Sequence, residues 1–118
     1  MKLLKVVKST NPKKKYDAFF DNNHKTSFGA YGYLDYLQHH DKERRERYRA
    51  RHKKDLDTRD PTKAGYLSYY LLWGDSTDLQ TNIRNYKRLF HLWTSFNNSH
   101  GIPTRFEETM YHDLNVFL

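Results

Sequence analysis

Residues 60–74 read DPTKAGYLSYYLLWG, and the fold turns on what this stretch can bury. Asp60-Pro61 is a helix-start signal, a capping side chain followed by proline at the first helical position. Gly74 is the matching stop. Between them Ala64, Leu67, Leu71 and Leu72 make one stripe, and Tyr66, Tyr69, Tyr70 and Trp73 make another. A helix that is apolar nearly all round is buried or sits at an interface. The segment is therefore expected at the centre of the molecule, with one layer on each side. Its aromatic stripe would stack bases if it were exposed, but core is the expected use.

Working outward, the N-terminal side supplies the first layer. KLLKVVK (2–8), YDAFF (16–20) and TSFGA (26–30) read as three short strands, with Tyr16, Ala18 and Phe20 on one face. STNPKKK (9–15) and DNNHK (21–25) read as the turns between them, which suggests an antiparallel meander. A lone meander is weak and needs cover on its apolar face. The C-terminal side supplies the other layer. Thr77 and Gln80 form a capping-box pair before a helix over about 78–96. Leu79, Ile83, Tyr86 and Phe90 are its stripe, widened by Leu89, Leu92, Trp93 and Phe96. NNSHGIP (97–103) breaks the pattern. Thr104 and Glu107 then open a short amphipathic segment with Phe106, Met110, Leu114 and Phe117 on one face. That segment is a candidate docking element, either for its own domain or for a neighbouring subunit. The expected architecture is α+β: a three-stranded antiparallel meander followed by three to four helices. The domain covers 1–96 and the extension 97–118.

The 118 residues suit one domain. Only 36% are apolar, so ten Tyr and seven Phe must carry much of the packing. The absence of cysteine excludes disulfides, zinc ribbons and thiol catalysis. No apolar run approaches a membrane span. The start, MKLLKVVKSTNPKKK, is too interrupted for a signal peptide, so the chain is expected to be soluble and intracellular when made. Seven histidines raise the question of a metal, but His39 and His40 point apart and no His pair shares a helix with an acidic ligand. There is no Gly-x-Ser-x-Gly nucleophile motif. FGAYGY (28–33) lacks the Lys-Ser/Thr of a phosphate-binding loop. No enzyme, cofactor or metal is expected.

Charge carries more. The net charge is +7, and it is gathered in two places. Residues 1–15 hold six lysines and no acid, and the remainder of the chain outside the second patch is acidic. The N-terminal lysines fit protection of a sheet edge. The second patch is DKERRERYRARHKK (41–54), with eight basic side chains among fourteen residues. Asp41 can cap a helix over 42–54. Tyr48 is its one visible anchor, so no face of it is expected in the core. Arg44, Arg45, Arg47, Arg49, Arg51, Lys53 and Lys54 are the candidate binding surface. Planar guanidinium groups suit phosphate, and many such contacts make binding steeply salt-dependent. An acidic protein surface is served equally well. The arginines run all round the helix, so no single stripe is marked and both readings stay open.

SFGAYGYLDYLQHHDKERRERYRARHKK (27–54), DPTKAGYLSYYLLWG (60–74) and IRNYKRLF (83–90) resemble a family of small basic proteins encoded by giant nucleocytoplasmic large DNA viruses. The resemblance runs from Lys5 to Phe90. It includes the KVVKST start, the Phe-Gly-Ala stretch, the ERYRARH helix and the aromatic Leu-Leu-Trp helix. Lys42 departs from the family, which often has Pro after the capping Asp, and residues 91–118 extend beyond the shared part. The resemblance implies a viral origin and a place in or near the particle, and it brings no catalytic residue. The expected function is a non-enzymatic structural component of the virion, a minor capsid or capsid-associated protein, made in the host cytoplasm. Its expected partners are capsid proteins, with an anionic lipid or DNA contact through the basic helix. The alternative is a nucleic-acid-binding protein that condenses or regulates viral DNA.

Overall fold

A computed structural model describes the backbone of residues 2–100 and the side chains of residues 2–90. The docking stripe Phe106, Met110, Leu114 and Phe117 lies outside the described residues. So do the capping box at Thr104 and the side chains of Leu92, Trp93 and Phe96.

Three strands, β1 (Leu3–Lys8), β2 (Lys14–Phe20) and β3 (Lys25–Ala30), form an antiparallel sheet in the order β1-β2-β3. Helices follow: α1 (Tyr36–His39), α2 (Lys42–His52), α3 (Ala64–Leu67) and α4 (Leu79–His100). This is the α+β arrangement expected. Val6, Ala18 and Thr26 lie opposite one another across the sheet, as do Lys8, Tyr16 and Phe28. Cross-strand partners share a face, so Leu3, Ala18, Phe20 and Phe28 are buried together. On the other face Asp17 is also buried. Its carboxylate accepts from the Ser9 and Ser27 hydroxyls at 2.7 and 2.6 Å.

The central segment is where it was expected. Tyr66, Leu67, Leu71 and Leu72 are almost fully enclosed, with β3 on one side and α4 on the other. Both stripes are core, including Tyr69, Tyr70 and Trp73, so they are closed to bases. Two of the buried tyrosine hydroxyls reach carbonyls: Tyr66 donates to Leu56 O at 2.7 Å, and Tyr86 donates to Pro61 O. Ile83, Tyr86 and Phe90 bring α4 onto this layer, with the Phe90 ring edge-on to Tyr66.

Several boundaries differ from expectation, each for a physical reason. The helix does not begin at Pro61. Asp60 accepts from Thr62 N–H and its hydroxyl at 2.9 and 2.6 Å, which closes a tight turn, and α3 starts three residues later. After Leu67 the helix widens to a π-helical stretch over Ser68–Leu72, closed by Trp73 N–H donating to Ser68 O. Gly74 follows where the stretch ends, and a side chain has no room there, since a Cβ would lie 2.3 Å from Tyr70 O. Asp78, not Thr77, takes the cap of α4 and accepts from Thr81 N–H at 3.0 Å. The helix then runs on to His100 rather than stopping near Phe96. Lys14 and Lys15, expected in a hairpin loop, are the first residues of β2. Among the described residues, no helix is long and apolar enough to cross a membrane.

Candidate anion-binding surface

Helix α2 begins as its sequence implies. Asp41 accepts from Arg44 N–H at 3.1 Å, a side-chain cap on the first turn. That hydrogen bond, more than any other influence, holds the Asp41 carboxyl below the usual carboxylate range. At the other end Lys53–Thr58 continues as a tighter 3₁₀ turn. Lys53 and Lys54 sit on that turn, exposed to solvent.

The reverse face of α2 is a correction to the sequence reading. The helix does enter the core, and it does so with arginines. Arg45 is 8% exposed and Arg49 4%. Four residues apart, they share one side of the helix with Tyr48 and His52. Arg45 donates from Nε to Gly74 O at 2.6 Å and from a terminal nitrogen to Asp75 Oδ1 at 2.6 Å, and it also pairs with Glu46. The Arg49 guanidinium lies 4.5 Å from the Tyr69 ring centroid and 3.6 Å from Asp75 Oδ1. Tyr48 is stacked between Trp73, at 4.0 Å and 5°, and His52, at 4.1 Å. Burial pushes the Tyr48 phenol up to about 12, so it stays protonated. A long stem with a charged tip can cover apolar surface and still reach a carbonyl, which composition alone does not show. The anchors Trp73, Gly74 and Asp75 lie some 25 residues away along the chain, and nothing local announces them.

Removing Arg45 and Arg49 from the surface changes what remains. Arg44, Arg47 and Arg51 are all exposed, and their i, i+3, i+7 spacing places them along one ridge. The seven cations expected to act together therefore divide. Two turn inward against the core, three form the ridge, and two follow on the turn beyond it. At about 1.5 Å rise per residue the ridge is roughly 10 Å long. Each guanidinium presents a planar fork of donors.

Among the described residues no three His, Cys, Asp or Glu side chains are grouped to hold a metal ion. His39 offers a different chemistry. Its Nδ1 accepts from Asp41 N–H at 2.9 Å, which requires the neutral ring. Burial and the Arg44 charge lower its pKa against the pull of Asp41 and Asp35.

A family of unknown function, DUF5754, matches residues 4–52 of the chain, from the second residue of β1 to the last of α2. The matched part thus carries the sheet and the whole arginine ridge, while the anchors of Arg45 and Arg49 lie beyond it. No curated protein and no solved structure matches the chain.

Proposed function

We propose that this is a non-enzymatic binding protein of a large DNA virus particle, a minor capsid or capsid-associated protein that bridges neighbouring subunits. The particle setting is supported by the sequence resemblance to proteins of giant DNA viruses. The observation that carries the binding role is the Arg44–Arg47–Arg51 ridge. A cationic stripe on a helix whose back is fastened to the core can meet an acidic surface without reordering, so less binding energy is lost to entropy. Its partners are acidic faces of shell proteins or the anionic lipid beneath them. The protein would be made in the host cytoplasm and carried in the virion.

Quantitative mass spectrometry of purified particles, split into shell and genome-containing core, tests this reading. Enrichment in the shell is expected. Absence from both fractions would remove the virion role.

The ridge also favours a second reading, in which its guanidinium forks hold duplex DNA through phosphate contacts. There the Arg44→Glu, Arg47→Glu, Arg51→Glu triple variant would lose duplex binding, and enrichment in the core fraction would follow. No measurable duplex binding by the wild type near physiological salt would sink it.

A further inference from the structure

A groove opens at the β1–β2 turn end of the sheet, beside α1, and its lining is unlike the rest of the surface. Lys8 and Tyr16 are cross-strand partners, and Lys14 stands two residues before Tyr16. The three side chains therefore share the sheet face that becomes core further along. Where that core stops, the chain leaving β3 turns across at Tyr31–Leu34, and an open groove of about 870 Å³ lies between the two. Tyr31 and Tyr33 are 69% and 74% exposed. The other described tyrosines are buried or half-buried, so these two rings are set apart.

The groove is held in shape. Tyr31 N–H donates to Lys13 O at 3.0 Å. Tyr33 O accepts from Lys15 Nζ, which also pairs with Asp35 at 2.6 Å and donates to Gln38 Oε1 at 3.0 Å. On the opposite wall Lys13 N–H donates to Asn11 Oδ1 at 2.9 Å. Asp35 is the one acid among the described lining residues, and Lys15 neutralises it. The exposed Lys8 and Lys14 leave the groove cationic. Burial, and then the Asp35 charge, push the Tyr16 phenol up, so it remains a donor on the groove wall.

The geometry points to this groove as a binding site for single-stranded nucleic acid, with bases stacked on Tyr31 and Tyr33 and phosphates on Lys8 and Lys14. Exposed rings beside backbone-tracking cations are what unpaired strands need. A duplex keeps its base faces inside its own stack and could not use the rings. An acidic peptide would use the lysines but leave the rings without flat partners. The site is separate from the arginine ridge and does not depend on it.

The test is fluorescence anisotropy of the whole chain with a labelled oligothymidylate of about 12 nucleotides, with the matching duplex and with poly-L-glutamate as a competitor. Tyr31→Ala with Tyr33→Ala should weaken single-strand binding by about a hundredfold, at roughly tenfold per lost stack. Tyr31→Phe with Tyr33→Phe should stay within about threefold, because the ring face is kept. Lys8→Glu with Lys14→Glu should abolish binding at physiological salt. All six substitutions are on exposed side chains, so melting temperatures should hold, and they are checked alongside. Reversal of Arg44, Arg47 and Arg51 should leave single-strand affinity nearly unchanged, which separates this site from the ridge. Three outcomes would overturn the proposal: no single-strand binding by the wild type, wild-type affinity in the double alanine variant, or displacement by poly-L-glutamate as effective as by unlabelled strand.

Discussion

Arg45 and Arg49 are the same residue type, one helical turn apart, and both are buried, yet they should respond differently to substitution. Arg45 satisfies a carbonyl and a carboxylate with short hydrogen bonds. Arg49 has no hydrogen-bond partner for any of its three guanidinium nitrogens. It keeps only the Tyr69 face and a looser contact with Asp75. Arg45→Met should therefore cost about 2 kcal/mol, since a charge-assisted network is lost and Asp75 is still half in water. Arg49→Met keeps the stem and removes a charge whose burial is poorly compensated. It should change stability by about 0.5 kcal/mol or less, or raise it. Urea unfolding of the two variants decides this, and an equal loss in both would contradict it. Neither role was legible in ERRERYRARH, because the groups that distinguish them, Gly74, Asp75 and Tyr69, are remote in sequence. Tyr48 was legible as an anchor, because an aromatic among the nine charged and polar residues of α2 has little else to do.

At the scale of elements, the strands and the central helix were readable because period-two alternation and an all-round apolar segment are local properties. The exceptions are elements whose ends are set by tertiary contact. Asn82, unremarked in the sequence, is 1% exposed. It donates to Leu71 O and Ser76 O at 3.0 and 2.8 Å and accepts from Ser76 N–H at 3.0 Å. It thus ties the π-helical stretch to α4. Asn82→Ala leaves these backbone groups without their partner and should cost about 2–3 kcal/mol, read by thermal or urea unfolding. Gly74→Ala should also destabilise, by about 1–3 kcal/mol, because its Cβ has no room beside Tyr70 O and Asn82.

The joint between α1 and α2 should respond to pH. The His39 ring accepts from Asp41 N–H only when neutral, and its folded pKa lies below the unfolded value of about 6.5. The unfolded chain therefore takes up this proton first. The stabilising contribution is complete above pH about 6.5 and declines as pH falls through the lowered folded value. His39→Gln retains an acceptor and cannot titrate, so its melting temperature should fall less than that of the wild type between pH about 7 and 5. Equal declines would exclude His39 as the cause.

For the whole molecule, the decisive arrangement is a basic helix fastened by its back to an aromatic core, with a cationic ridge facing out. That most of its cations face outward could be anticipated from charge clustering, but the ridge could not, because the sequence does not say which arginines are internal. The outward set follows only once Arg45 and Arg49 are placed. The most direct measurement is the affinity of the wild type and of the Arg44→Glu, Arg47→Glu, Arg51→Glu variant for poly-L-glutamate across a range of salt. The wild type should bind with a steep salt dependence. The variant should be as stable, because all three side chains are exposed, and should bind more than about tenfold more weakly with a shallower slope. A folded triple variant that binds like the wild type would show that the ridge is merely a solvated face.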